Sequence, residues 1–166
     1  MLGIQSFTFR KAVLAATLLC PLAHGLSVSS TILVFARDTS SAYSVTSGLQ
    51  GHGIPYQTVI VPSSGVTLPV LNSSLETGNY GGFVVLSEVS YDYNGSWASA
   101  ISPEQWQQIY SYQTDYGVRL VRLDAYPGSD FGATTAIAGA GCCDTGVEQL
   151  VSITNSSSFA TAGLVE

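Results

Sequence analysis

The sequence predicts an α/β fold built on an open, mostly parallel sheet with flanking helices. Three observations carry that expectation. Four short apolar runs are rich in β-branched residues, two stretches carry helix start and stop signals, and the two kinds of segment alternate along the chain.

Residues 31–36 (TILVFA) read as a buried strand. Asp38 or Thr39 caps a helix that runs to about Leu49, and Gly51 and Gly53 end it. Residues 56–61 (YQTVIV) form the next strand, stopped by Pro62. This strand–helix–strand unit has the length of a right-handed parallel crossover. After a longer loop the pattern repeats. Residues 82–87 (GFVVLS) are a third buried strand, and Ser102-Pro103-Glu104-Gln105 is a strong helix start, with Ser as N-cap, Pro at the first position and Gln completing a capping box. Trp106, Ile109, Tyr110 and Tyr116 recur at helical spacing and are read as core, and Gly117 terminates the helix. Residues 118–123 (VRLVRL) are the fourth strand. The order points to a layered fold of the flavodoxin or glutamine-amidotransferase kind. Beyond Pro127 the sequence turns Gly-, Ala- and Thr-rich, with one further strand read over 149–154. The apolar ending AGLVE has no stop signal, so the fold is expected to be incomplete at its C-terminus.

The amino terminus sets the compartment. Arg10 and Lys11 precede an apolar run over residues 12–22, and Ala23-His24-Gly25 places small residues ahead of a cut before Leu26. A basic flank, an apolar stretch too short to span a bilayer and a small-x-small site describe a secretory signal peptide over residues 1–25. Residues 26–166 then form a single domain, most regular over 31–124. Three acceptor sequons, at Asn72, Asn94 and Asn155, lie in polar stretches and fit a secreted glycoprotein, extracellular or associated with the cell wall.

Charge narrows the partners. Without the leader, Arg37, Arg119 and Arg122 face eleven acids, a formal charge of −8. Such a chain cannot neutralise a row of phosphates, so neither nucleic acid nor an anionic membrane surface is an expected partner. A neutral or cationic ligand fits better.

The signatures of common chemistries are missing. Ala36-Arg37-Asp38-Thr39 follows the first strand in place of a Gly-x-Gly-x-x-Gly cradle, and no Gly-x-Ser-x-Gly elbow occurs. His52, in Gly51-His52-Gly53, is the one histidine outside the leader and reads as an exposed turn residue at a helix end. One histidine is too few for a zinc hydrolase. No catalytic residue, metal site or cofactor is assigned. Cys142 and Cys143 are adjacent, and an exported protein rarely keeps free thiols. The pair forms a vicinal disulfide, an intermolecular bond or bonds to a segment beyond the chain. The expected outcome in the monomer is a bond between the two.

One constellation remains. Ligands of open α/β sheets bind at the carboxyl ends of the strands. Those ends carry Asp38, Glu88 and Asp124, joined by Tyr91, Asp92, Tyr93 and Trp97 after the third strand and by Tyr126 after the fourth. Carboxylates beside aromatic faces suit saccharides, since rings stack on sugar C–H faces and carboxylates accept hydroxyl or ammonium hydrogen bonds. The alternative reading makes them capping acids and half-buried loop aromatics.

Residues 31–38 (TILVFARD), 80–87 (YGGFVVLS), 106–110 (WQQIY) and 117–123 (GVRLVRL) together resemble, in the same order, the N-terminal part of secreted fungal galactosaminogalactan deacetylases. The resemblance implies a longer relative with a carbohydrate-binding module and a metal-dependent domain that deacetylates N-acetylgalactosamine units. The Asp-containing segment and His-x-x-x-His pair of that domain have no counterpart here, so no catalytic residue carries over. Three functions follow: a non-catalytic carbohydrate-associated module binding a partly deacetylated N-acetylgalactosamine polymer, a hydrolase fragment active only with a missing C-terminal domain, or an amidotransferase-like α/β enzyme of unknown chemistry.

Overall fold

Leu33, Val34, Phe35 and Ala36 are fully buried, and residues 82–86 are all buried, because both runs sit inside a sheet covered on its two faces. The computed structural model describes residues 25–134 and 151–157. The chain divides into two compact units, Met1–Ala125 and Tyr126–Glu166.

The first unit runs β1 (Ser27–Val28), β2 (Ile32–Ala36), α1 (Thr39–Gly51), β3 (Tyr56–Ile60), β4 (Asn72–Ser74), β5 (Thr77–Gly78), β6 (Gly82–Leu86), a one-turn 3₁₀ segment (Ser87–Val89), β7 (Ser90–Tyr93), β8 (Ser96–Ser99), α2 (Pro103–Tyr116) and β9 (Arg119–Leu123). A four-stranded sheet has the order β3-β2-β6-β9 with every neighbouring pair parallel. Both helices begin with capping boxes, Asp38 with Ser41 and Ser102 with Gln105, and α2 ends on Gly117 at φ 65°. In the second unit the described residues form one turn, Ser129–Phe131, closed by Gly132 at φ 62°.

The expected layered flavodoxin- or amidotransferase-like class is corrected. The described residues hold two α-helices, and beside the four-stranded sheet stand two small ones. In the first, β5 pairs parallel with β1 and antiparallel with β4; in the second, β7 and β8 form an antiparallel ribbon. The link from β3 to β6 carries short strands where a layered fold would place a helix. These strands are built from Ser, Thr, Asn and Gly, whose backbones pair without an apolar period to announce them. Residues 151–154, within the further strand read from sequence, form no strand.

The core has two parts. On one face of the sheet Leu33, Phe35, Phe83 and Val85 pack with Val61, Val89, Ile101 and, from α2, Ile109 and Tyr112. On the other, Val34, Ala36, Val84 and Leu86 meet Ala42 of α1, with Val45 and Leu49 alongside. Tyr110, read as core, is exposed, while Tyr112 is buried. The Tyr112 hydroxyl accepts from the Tyr80 backbone N–H (3.0 Å) and donates to the Tyr80 carbonyl (2.8 Å), joining α2 to the strand entering the sheet. Burial raises the pKa of the Tyr112 phenol. A Cβ at Gly78 would collide with that hydroxyl, so only glycine admits the contact.

Tyr112→Phe strands both Tyr80 backbone groups in the core. It should lower the unfolding free energy by about 1–3 kcal/mol in urea titration, with the slope against denaturant unchanged. A change under about 0.3 kcal/mol would show that the hydroxyl fastens nothing.

Candidate functional site

At the carboxyl end of β6 the backbone turns through Ser87, Glu88 and Val89 at φ 49°, 55° and 42°, and Asp124, just after β9, sits at φ 55°. None is glycine, and a β-branched valine there is a true outlier. Two features hold the turn. The Val89 side chain is fully buried in the core, and the Ser87 hydroxyl donates to Asp124 Oδ2 at 2.6 Å, tying the ends of β6 and β9 together.

The turn aims Glu88 toward β9. Its Oε2 lies 3.3 Å from Arg122 Nη1, with the two side chains 21% and 15% exposed. The guanidinium lies 4.5 Å from the centroid of the Trp106 ring, Trp106 stacks on Tyr110 at 5.8 Å, and Arg122 also donates to the Tyr110 hydroxyl. Glu88 is thus one end of an ion pair roofed by two aromatics.

The next segment forms the β7–β8 ribbon, turned by Asn94 and Gly95 at φ 59° and 87°, an Asn-Gly pair suited to a type I′ hairpin. Alternation sorts its side chains. The hydroxyls of Tyr91 and Tyr93 donate to the carbonyls of Val61 (2.8 Å) and Ser63 (2.6 Å), fastening the ribbon to the segment after β3. Asp92 and Trp97 stand directly opposite each other in the register and so share one face. Trp97 is 67% exposed, and Asp92 also accepts from the Gly95 backbone N–H.

The residues proposed from sequence therefore divide. Glu88, Tyr91, Tyr93, Trp97 and Asp124 gather at the carboxyl end of the four-stranded sheet. Asp38 follows β2 at that end and caps α1, its carboxyl held below its ordinary range chiefly by the Ser41 backbone N–H. Tyr126 is exposed in the second unit. His52 is an exposed helix-end residue whose backbone N–H donates to the Gly48 carbonyl. The sequon asparagines Asn72, Asn94 and Asn155 are exposed. Residues 1–24, Cys142 and Cys143 lie outside the described residues. Among the described residues no three His, Cys, Asp or Glu side chains converge as metal ligands.

Sequence reasoning missed Ser87 and Arg122. The sequence trace of the Arg122 site is Trp106 and Tyr110 one helical turn apart, a spacing that also fits a core-facing stripe.

The family model described as Agd3 CBM87 matches residues 28–166. The chain belongs to this family of carbohydrate-binding modules. A solved structure, the crystal structure of Agd3, a novel carbohydrate deacetylase, is similar at 57% identity and a TM-score of 0.70. The match covers 83% of this chain and 21% of that one, so the chain spans about a fifth of the solved protein. No curated protein matches.

Arg122→Ala removes an ion pair and a stacked cation together and should cost about 1–3 kcal/mol in denaturant titration. Glu88→Gln should cost less, and a double-mutant cycle should show coupling above about 0.5 kcal/mol. Strict additivity would mean that the pair holds nothing in place.

Proposed function

We propose that this chain is a non-catalytic module, acting outside the cell, that holds a galactosamine-containing polysaccharide from which part of the acetyl groups has been removed. The observation that carries the reading is Trp97, a large aromatic face left in solvent beside a carboxylate, in a chain of the CBM87 family. An exposed indole is a stacking platform for the C–H face of a pyranose. Asp92 beside it and Asp124 at a neighbouring strand end supply negative charge facing a polymer that carries ammonium groups, while Glu88, matched by Arg122, contributes by holding the turn beside them. Asp38 adds a further carboxylate at the same strand ends, Tyr91 and Tyr93 position the ribbon, and Tyr126 offers an exposed ring on the second unit by itself. Neither nucleic acid nor membrane is a partner in this reading, and no cofactor is needed.

Export through the amino-terminal leader, glycans at the three sequons and a Cys142–Cys143 bond belong to the same proposal, supported by the sequence features described above. A second reading makes the chain the amino-terminal piece of a deacetylase whose catalysis lies elsewhere. The observation favouring it is that the match spans only 21% of Agd3.

Pull-down on an immobilised, partly deacetylated galactosamine polymer should retain the chain. Retention should weaken as salt rises, because exposed charges are screened beyond about 8 Å at physiological ionic strength. Trp97→Ala should weaken it by about three- to tenfold, or roughly 1 kcal/mol. No acetate should appear, with or without added zinc. Acetate above a no-protein control would overturn the non-catalytic assignment, and binding indifferent to Trp97→Ala would place the platform elsewhere.

A further inference from the structure

Away from the strand ends, a cleft of ≈ 780 Å³ runs between α2 and the segment leading into β4. Its volume lies within the range of ligand-binding clefts, about 300–1,000 Å³. One wall is a single polar stripe of the helix: Glu104, Gln107, Gln108, Ser111 and Asp115, at the three- and four-residue spacings that share a face. Opposite stand Pro69, Val70 and Leu75, the last 89% exposed.

Hydrogen bonds frame the cleft at both ends. The Gln105 side-chain amide donates to the Val66 carbonyl at 2.6 Å near one end, and the Tyr116 hydroxyl donates to the Ser74 carbonyl at 2.7 Å near the other. The far side is pinned as well, by Asn79 donating to the Val70 carbonyl through its side chain and to the Leu71 carbonyl through its backbone. These bonds hold the backbone of the wall facing α2 at Val66, Val70, Leu71 and Ser74, so the ordering that falls on binding is mainly that of side chains.

The lining chemistry selects a ligand. Two carboxamides and a hydroxyl both donate and accept, which suits the hydroxyl and acetamido groups of a sugar. The apolar wall matches sugar C–H faces. Glu104 and Asp115 place a carboxylate toward each end of the stripe, and among the described residues no Lys, Arg or His lines the cleft. The Glu104 carboxyl is held below its ordinary range chiefly by the Ser102 hydroxyl, so it stays charged in mildly acidic surroundings. From Glu104 to Asp115 the helix runs about 16 Å, enough for a short oligosaccharide.

We infer that this cleft is a second saccharide site, separate from the Trp97 platform, which takes a segment of cationic amino-sugar chain. The inference rests on the carbohydrate reading above for the class of ligand, and on the cleft alone for the place. Two sites on one module hold a repeating polymer more tightly than either alone, because the second engagement is intramolecular.

The test is titration of the ¹⁵N-labelled full chain with partly deacetylated galactosamine oligosaccharides, followed by amide spectra. Backbone and side-chain amides of Gln107 and Gln108, and the Ser111 backbone, should shift together with the Trp97 indole N–H. The double variant Gln108→Ala with Ser111→Ala, both exposed positions, should weaken the helix-side response by about five- to tenfold and leave the indole response in place. An oligouronate should move none of these signals. Indole shifts with a silent helix would overturn the cleft and leave the proposed function standing. Helix shifts with a silent indole would uphold the cleft and overturn the Trp97 platform. Silence at both would overturn both, and equal helix shifts with oligouronate would overturn the cationic selectivity.

Discussion

A parallel sheet has to be covered on both faces, since its central strands carry apolar side chains on either side. Here that demand falls on two helices. α2, with Val61, Val89 and Ile101, closes one face over Leu33, Phe35, Phe83 and Val85. α1 closes the other chiefly over the buried residues of β2 and β6. Ile60 and Tyr56 on β3, and Val121 and Leu123 on β9, point the same way as the residues under α1 and stay exposed. The well-covered face is also the one from which both candidate surfaces grow. The cleft uses the outer stripe of α2, and Val89, the anchor of the left-handed turn, is buried in that same core.

The large elements were legible because each depends on local signals. The runs ILVFA and GFVVL are apolar throughout, and the capping boxes at Asp38 and Ser102 start their helices where the sequence places them. The small sheets were not legible. Ser27–Val28, Asn72–Ser74 and Thr77–Gly78 become strands only because their partners lie close by, and no periodicity in the sequence records that. This is why the layered expectation failed: it counted what a periodic reading can see and assigned the remainder to loops.

The site divides along the same line. Strand ends could be located from the runs, and Asp38, Glu88 and Asp124 do stand just past the ends of β2, β6 and β9. Their partners come from tertiary geometry. Nothing in the sequence says that Ser87 would bond Asp124, or that Arg122 would lie over Trp106 with Glu88 at its side. Of the alternative reading, capping acids and half-buried loop aromatics, Asp38 does cap α1, while Tyr91 and Tyr93 stand on β7 with their hydroxyls bonded to carbonyls after β3. Trp97 is different, being held by its strand with its ring in solvent. The cleft escaped because its polar wall is an ordinary solvated helix face until the opposite wall is in place.

Contact between the Trp97 face and the polymer can be read from the two tryptophans of the chain. Trp106 is partly buried beneath Arg122, while Trp97 is open to solvent. Acrylamide quenching of intrinsic fluorescence, with and without partly deacetylated galactosamine polymer, reports on the exposed ring. Polymer should protect one tryptophan from quenching, Trp97→Phe should abolish most of this protection, and an acidic polymer should give none. Equal quenching with and without polymer, under conditions where the chain is retained on it, would contradict the claim.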